Sequence, residues 1–291
     1  MDSRSGTLPF GKEYNHKLGK PSFSWLEQWQ KAARESALIE IRSAHEIEAL
    51  RAAGRIVALT FLEIEPLIKP GAVLRDIDLL AEKFIENQGA ETLYKGIRQV
   101  PRQRPFPGVI TTSINNQICH GIPDERVLKT GDIVGIDIGL KYKGWCGDAC
   151  VTYEVGKVSA EVKRLVQTTR EALQKGIDAS LAGNHVGAIG AAIQQFAEGC
   201  GYSVVREYGG HGIGRGLWED PFIPHIGPAE RGALLREGMV LNLEPMINIG
   251  KPETRLLPDQ WTVETADGSL SAQFEHTIVI TSGAPEILSL P

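Results

Sequence analysis

Two periodicities alternate along the chain. Ile47, Leu50, Ile56, Val57, Leu59 and Leu62 largely follow a helical period that stops at Pro66. Ser43, three residues before Glu46, has the capping-box spacing that opens such a helix. A second helix is predicted from about Arg75 to Asn87. Strand patterns follow: Val109–Ile114, then a β-hairpin over Gly131–Tyr153 with a glycine-containing turn. Two more helices are predicted over about Glu161–Ser180 and Val186–Glu198, and further strands near Met239–Glu244 and Phe274–Thr281. Helices followed by strands, twice over, predict an α+β architecture of two similar halves.

The halves share a register. Gly71, Ile77, Phe84, Glu86 and Gly89 recur 112 residues later as Gly183, Ile189, Phe196, Glu198 and Gly201. His120-Gly121-Ile122 recurs as His211-Gly212-Ile213. Gly131, six residues before Asp137, recurs as Gly238, six residues before Glu244. Asp148 and Glu275 each begin the strand that follows. The order predicts two helix–helix–strand–strand units about a pseudo-two-fold, sharing one core because no linker separates them.

Composition narrows the function. The chain has 291 residues, 42% of them hydrophobic and 23% charged, the proportions of a globular protein. Its formal net charge of −5 removes the electrostatic case for a general nucleic-acid binder. No apolar run approaches the roughly 20 residues that span a bilayer, and the first residues contain no secretory apolar core. Cys119, Cys146, Cys150 and Cys200 form no Cys-x-x-Cys pair, so reduced thiols and a cytoplasmic location are expected.

The repeat also pairs polar residues: Asp137 with Glu244, Asp148 with Glu275, His120 with His211. A lone carboxylate in a strand such as Ile-Val-Gly-Ile-Asp-Ile usually faces solvent. Four at equivalent positions would converge near the symmetry axis and repel one another strongly. Four carboxylates and an imidazole suit one or two divalent transition metals. Two such ions activate a bridging water as a nucleophile.

The residues carrying this pattern resemble a known family. They are Arg51-Ala52-Ala53-Gly54-Arg55, Ile118-Cys119-His120-Gly121-Ile122-Pro123, Asp137-Ile138-Gly139 and Gly147-Asp148-Ala149. Gly210–Gly216, Asn242-Leu243-Glu244-Pro245-Met246, Trp261-Thr262-Val263 and Ser269–Thr277 complete the set. Together they are similar to type I methionine aminopeptidases of the pita-bread (creatinase/aminopeptidase-like) fold, over about 41 to 288. The resemblance implies a single catalytic domain over 41–291 and a dinuclear centre of Co, Mn, Fe or Zn. Asp137, Asp148, His211, Glu244 and Glu275 would be its ligands, with Asp148 and Glu275 bridging. It implies removal of initiator methionine from nascent chains by attack of a metal-bridging hydroxide. Glu244 would assist proton transfers, and His120 would hydrogen-bond the scissile amide.

The chain also departs from that family. Seven residues after the ligand histidine, the family normally carries a second histidine that contacts the scissile carbonyl; here the position is Trp218. An indole N–H donates a hydrogen bond but accepts none and shuttles no proton. Losing one oxyanion donor typically costs about 10²–10³ in rate, so weakened or retuned activity is expected. The pocket loop reads Arg104-Pro105-Phe106-Pro107, and Thr111 stands where many bacterial members have cysteine. Phe106, Thr111, Leu217, Trp218 and Trp261, with His120, are the candidate substrate contacts, although plain core packing is the commoner fate of apolar residues.

Two other readings compete. An Xaa-Pro dipeptidase of the same fold usually carries a substantial N-terminal domain, for which some 40 residues are too few. An inactive paralogue acting as a binding protein would have no need of clustered carboxylates. Residues 1–40 form an extension with a short helix expected over 25–40. Its Lys12, Lys17 and Lys20, with Phe10, Tyr14, Phe23 and Trp25, offer a surface for a ribosome or for the catalytic domain, a solvated tail being the simpler expectation.

Overall fold

The computed structural model describes residues 39–291. The lysine and aromatic cluster of the extension lies outside them, as does its expected helix except for the last two residues. Four α-helices are found among the described residues: α1 (Ala44–Ile64), α2 (Leu74–Asn87), α3 (Ala160–Ala179) and α4 (Val186–Gly199). Ser43 caps α1 through the predicted reciprocal box, its side chain accepting from Glu46 N–H while Glu46 accepts from Ser43 N–H.

Nine strands form the main sheet: β1 (Glu91–Thr92), β2 (Thr111–Ile114), β3 (Ile133–Tyr142), β4 (Trp145–Glu154), β5 (Gly209–Gly212), β6 (Glu219–Pro224), β7 (Val240–Leu243), β8 (Glu275–Val279) and β9 (Glu286–Ile287). Their order is β1-β3-β4-β8-β7-β5-β6, with β2 on β3 and β9 on β8. The pairings within it are antiparallel. The hairpin β3–β4 and the antiparallel pair β7–β8 meet where β4 pairs with β8, placing the pseudo-two-fold between those strands. Lys143 and Gly144, both at positive φ, close the β3–β4 turn, a geometry that matches strand twist.

Repeat-related glycines adopt the same backbone. Gly71 and Gly183 have φ of 91° and 93°, and Gly131 and Gly238 have 98° and 87°. A side chain is disfavoured at those angles, so both halves retain glycine there.

Two short three-stranded sheets complete the β-structure. Their two- and three-residue strands are too short to show a period. One joins Gln117–Cys119, Val263–Thr265 and Thr254–Leu256; the other joins Ser203–Val204, Met246–Asn248 and Ser271–Gln273. Two predicted strand ends move for identifiable reasons. β2 starts at Thr111 rather than Val109 because the Asp78 carboxylate takes the Val109 and Ile110 N–H groups. β7 ends before Glu244, whose N–H turns to His225, and Pro245 has no N–H to continue a ladder.

The strand period of two separates structure from chemistry. On β3, Val134, Ile136, Ile138 and Leu140 face a core built with Val57 and Phe61 of α1 and Ile77 and Ile85 of α2. On β7 and β8, Leu241, Leu243 and Ile278 pack with Leu165 and Leu173 of α3 and Ile189 and Ile193 of α4. Val151 touches both clusters. The residues between these apolar positions, Asp137 among them, point the other way.

Helix α1 lies unusually close to the sheet. A Cβ on Gly147 would lie 2.6 Å from the Ala53 carbonyl carbon, and one on Gly54 only 2.5 Å from the Leu288 carbonyl oxygen. Both obstacles are backbone, so they cannot swing aside. Gly147→Ala is therefore expected to cost about 1–3 kcal/mol, as overpacking typically does. A lower denaturant midpoint with an unchanged slope would support this; an unchanged midpoint would refute it.

Candidate metal centre

Register alone brings the carboxylates together. Asp137 of β3 pairs with Cys150 of β4, which pairs with Glu275 of β8. Directly paired residues share a face, and Asp148 lies two residues from Cys150, so Asp137, Asp148 and Glu275 project on the same side. His211 of β5 pairs with Asn242 of β7, and Glu244 follows β7 directly. One atom from each of Asp148, His211 and Glu275 lies within 4.8 Å of the others. His211 Nε2 is 3.8 Å from Asp148 Oδ2 and 3.7 Å from Glu244 Oε1. Two ligands of one ion cannot be farther apart than twice the bond length, about 4.0–4.4 Å for nitrogen and oxygen ligands. The two separations from His211 Nε2 fall within that limit.

The protonation chemistry fits as well. Burial pushes the Asp137 carboxyl up to about 6. Burial, then the neighbouring carboxylates, push Asp148, Glu244 and Glu275 well above the ordinary range. Burial lowers His211 to about 4, so its imidazole is neutral near pH 7. His211 Nδ1 lies 2.9 Å from the Gly212 carbonyl, which must receive a proton there and leaves Nε2 free as a ligand. Protons substitute for cations at such a site, and divalent ions are the natural replacement.

An outer layer of partners holds the ligands. Asn242 Nδ2 donates to Glu275 Oε1 at 2.8 Å, and Thr277 Oγ1 lies 2.7 Å from Asn242 Oδ1. Gln273 Nε2 donates to Glu244 Oε2 at 3.2 Å, and Glu244 N–H donates to His225 Nε2 at 3.3 Å. Tyr94 Oη lies 2.6 Å from Asp137 Oδ1 and 2.9 Å from Asp148 Oδ1. Sequence reasoning missed all of these. Asn242, Gln273 and Thr277 lie within three residues of predicted ligands and could have been suspected; Tyr94 carried no local signal. His225 and His276, left without partners by the sequence, are held by Glu244 N–H and Ser289 Oγ.

The candidate substrate residues fall into two groups. Phe106, Leu217, Trp218 and Trp261 join one apolar cluster, with Phe106 and Trp261 ring centroids 5.2 Å apart at 77°. Loop hydrogen bonds bring them together: Trp261 Nε1 donates to the Arg104 carbonyl at 2.7 Å, and Arg104 N–H donates to Gln260 Oε1 at 2.9 Å. Thr111 pairs with Asp137 across β2 and β3. His120 sits at a φ of 56°, and its ring meets the edges of Tyr208 and Trp261 at 6.0 and 6.5 Å. Burial lowers it to about 4, so it too is neutral. Cys119 is buried, and burial pushes its thiol well up, as a packing residue requires. No described helix is long and apolar enough to cross a membrane.

A buried carboxylate-and-histidine cluster at the meeting of two symmetry-related strand pairs defines a metal-dependent hydrolase class. The chain belongs to metallopeptidase family M24, which it matches over residues 48–282. It is 46% identical over 252 residues to methionine aminopeptidase 1 of Bacillus subtilis (strain 168), covering 87% of this chain and 99% of that one. The crystal structure of methionine aminopeptidase from Rickettsia prowazekii superposes with a TM-score of 0.84 and 43% identity, covering 87% of this chain and 100% of that one. The prolidase from Pyrococcus horikoshii OT3 has a TM-score of 0.66 at 22% identity and shares the fold; this chain covers 63% of it.

The raised carboxyls set the sign of a pH effect. A proton held more tightly in the folded state stabilises it at low pH, and that contribution is lost as pH rises through the folded value, about 6 for Asp137. Cation binding requires the same groups deprotonated. The increase in Tm caused by Mn²⁺ should therefore grow between pH 5 and 8. An increment that is constant across this range would contradict the assignment. Asp148→Asn should abolish most of it at every pH.

Proposed function

We propose that this chain is a dinuclear metallo-aminopeptidase that removes N-terminal methionine from polypeptides, nascent chains being the natural source of such ends. The observation that carries the reading is the convergence of Asp137, Asp148, His211 and Glu275 from four strand positions, and of Glu244 from the end of β7, onto one buried site. Four carboxylates and one neutral imidazole can neutralise and hold two divalent cations, drawn from Co, Mn, Fe or Zn. Such a pair, when bound, supplies an activated water and a polarised carbonyl.

The chain's own residues supply the rest. Glu244 has one oxygen facing His211 and the other held by Gln273, so the carboxylate is oriented to exchange a proton at a fixed point. His120, neutral and braced between Tyr208 and Trp261, would hydrogen-bond the scissile amide. Phe106, Leu217 and Trp261 offer an apolar wall for an unbranched thioether side chain, and Thr111 lies beside the Asp137 edge. Trp218 leans on that same aromatic wall. It leaves the five ligand positions intact while replacing an imidazole that could accept a proton.

Incubating the full chain with a Met-Ala-Ser peptide and added Co²⁺, Mn²⁺ or Fe²⁺ should release methionine. Absence of release with every metal, from well-folded protein, would overturn the reading. Cleavage of Xaa-Pro but not Met-Ala peptides would assign the site to the dipeptidase reading instead. Trp218→His is expected to raise kcat, by up to about the 10²-fold that a single oxyanion donor supplies. An unchanged kcat would show that the indole already serves, or that the position takes no part.

A further inference from the structure

We propose that Tyr94 is a positioning residue of the metal centre, its hydroxyl fixing Asp137 and Asp148 in the orientation that receives a cation. The inference rests on the reading of the five-residue cluster as a metal site.

The backbone delivers the ring to this place. Strand β1 pairs Glu91 with Lys141 and Thr92 with Leu140. Leu93 N–H then donates to the Gly139 carbonyl at 3.2 Å, which brings Tyr94 over β3 at Gly139. Gly139 is also the partner of Asp148 across the hairpin. A Cβ at 139 would lie 2.8 Å from two ring carbons of Tyr94. The ring thus fills the space that a side chain at 139 would need. Its far end carries the hydroxyl between two carboxylates from adjacent strands, 2.6 Å from one and 2.9 Å from the other.

The ring is fixed on its other side too. Phe106 meets it edge-on, with centroids 6.4 Å apart at 84°, and Tyr94 is only 6% exposed. A phenol has one proton, so it donates to one aspartate at a time. Either bond limits rotation of a carboxylate that would otherwise turn away from its charged neighbours. In metal sites, losing an outer partner of this kind typically costs 10–100-fold in affinity. The same ring touches Phe106 of the apolar wall, so Tyr94 links the candidate pocket to the ligands.

Calorimetric titration of the full chain with Mn²⁺ alone, at fixed pH, tests this. Tyr94→Phe removes one oxygen and keeps the ring. It should weaken binding at one site by about 10–100-fold, while the Tm of the metal-free protein stays close to wild type. The visible spectrum of the Co²⁺-loaded protein should shift as well, which a purely structural role would not cause. Gly139→Ala should reproduce the affinity loss by displacing the ring with its hydroxyl intact. Unchanged affinity in Tyr94→Phe would overturn the proposal. Tighter binding would also overturn it, because the hydroxyl would then be competing with the cation. Wild-type protein that binds no Mn²⁺ would instead remove the metal-site reading, and this inference with it.

Discussion

The structure is organised around a repulsion. Asp137, Asp148, Glu244 and Glu275 are carried into a buried site where burial disfavours their ionised forms, and neighbouring carboxylates add to this at Asp148, Glu244 and Glu275. Four such groups without compensation would oppose folding, since an unpaired buried charge is among the costliest features a protein can hold. Protons or cations must make up the difference. A fold keeps such a cluster only where the rest of the molecule pins it in place. Here the antiparallel ladders β3–β4, β4–β8 and β8–β7 do so, because each ligand strand is hydrogen-bonded to the next.

Symmetry makes that arrangement economical. Each half contributes an antiparallel strand pair whose apolar alternate positions bury against two helices, leaving the intervening positions for the site. The cores on the helical side hold the sheet, and the outer partners hold the ligands on the other. Asn242 and Thr277 brace Glu275, Gln273 orients Glu244, and His225 fixes the backbone beneath it. These partners come from neighbouring strands and a loop, so the ligand geometry depends on the assembled sheet rather than on any one segment.

The departure at Trp218 acts on a different part of the molecule. Its indole joins Phe106, Leu217 and Trp261 in the aromatic wall, whereas His211 stays on β5 with its tautomer set by the Gly212 carbonyl. Nearby, Glu219 is paired with Arg42 and accepts from Gly216 N–H, which ties this loop to the segment preceding α1. A change at position 218 therefore acts on the aromatic wall rather than on the carboxylate and histidine cluster.

By itself, the sequence determined the two-fold plan. Spaced glycines at left-handed turns and alternating apolar strands are local requirements, so they leave a readable mark in each half. It also marked the carboxylates that the fold brings together, because such groups interrupting apolar strands are rare enough to stand out. The Ser43–Glu46 cap and all four helices were legible for the same local reason. Only the tertiary structure decided what meets those ligands. Tyr94 lies 43 residues from Asp137 and 54 from Asp148, and reaches both because an edge strand pairs beside a glycine. Asp78 trims β2, and the loops carrying Arg104 and Trp261 bond across 157 residues. Such contacts are set by register and by the space a missing side chain leaves. Neither is written in the period of a single segment.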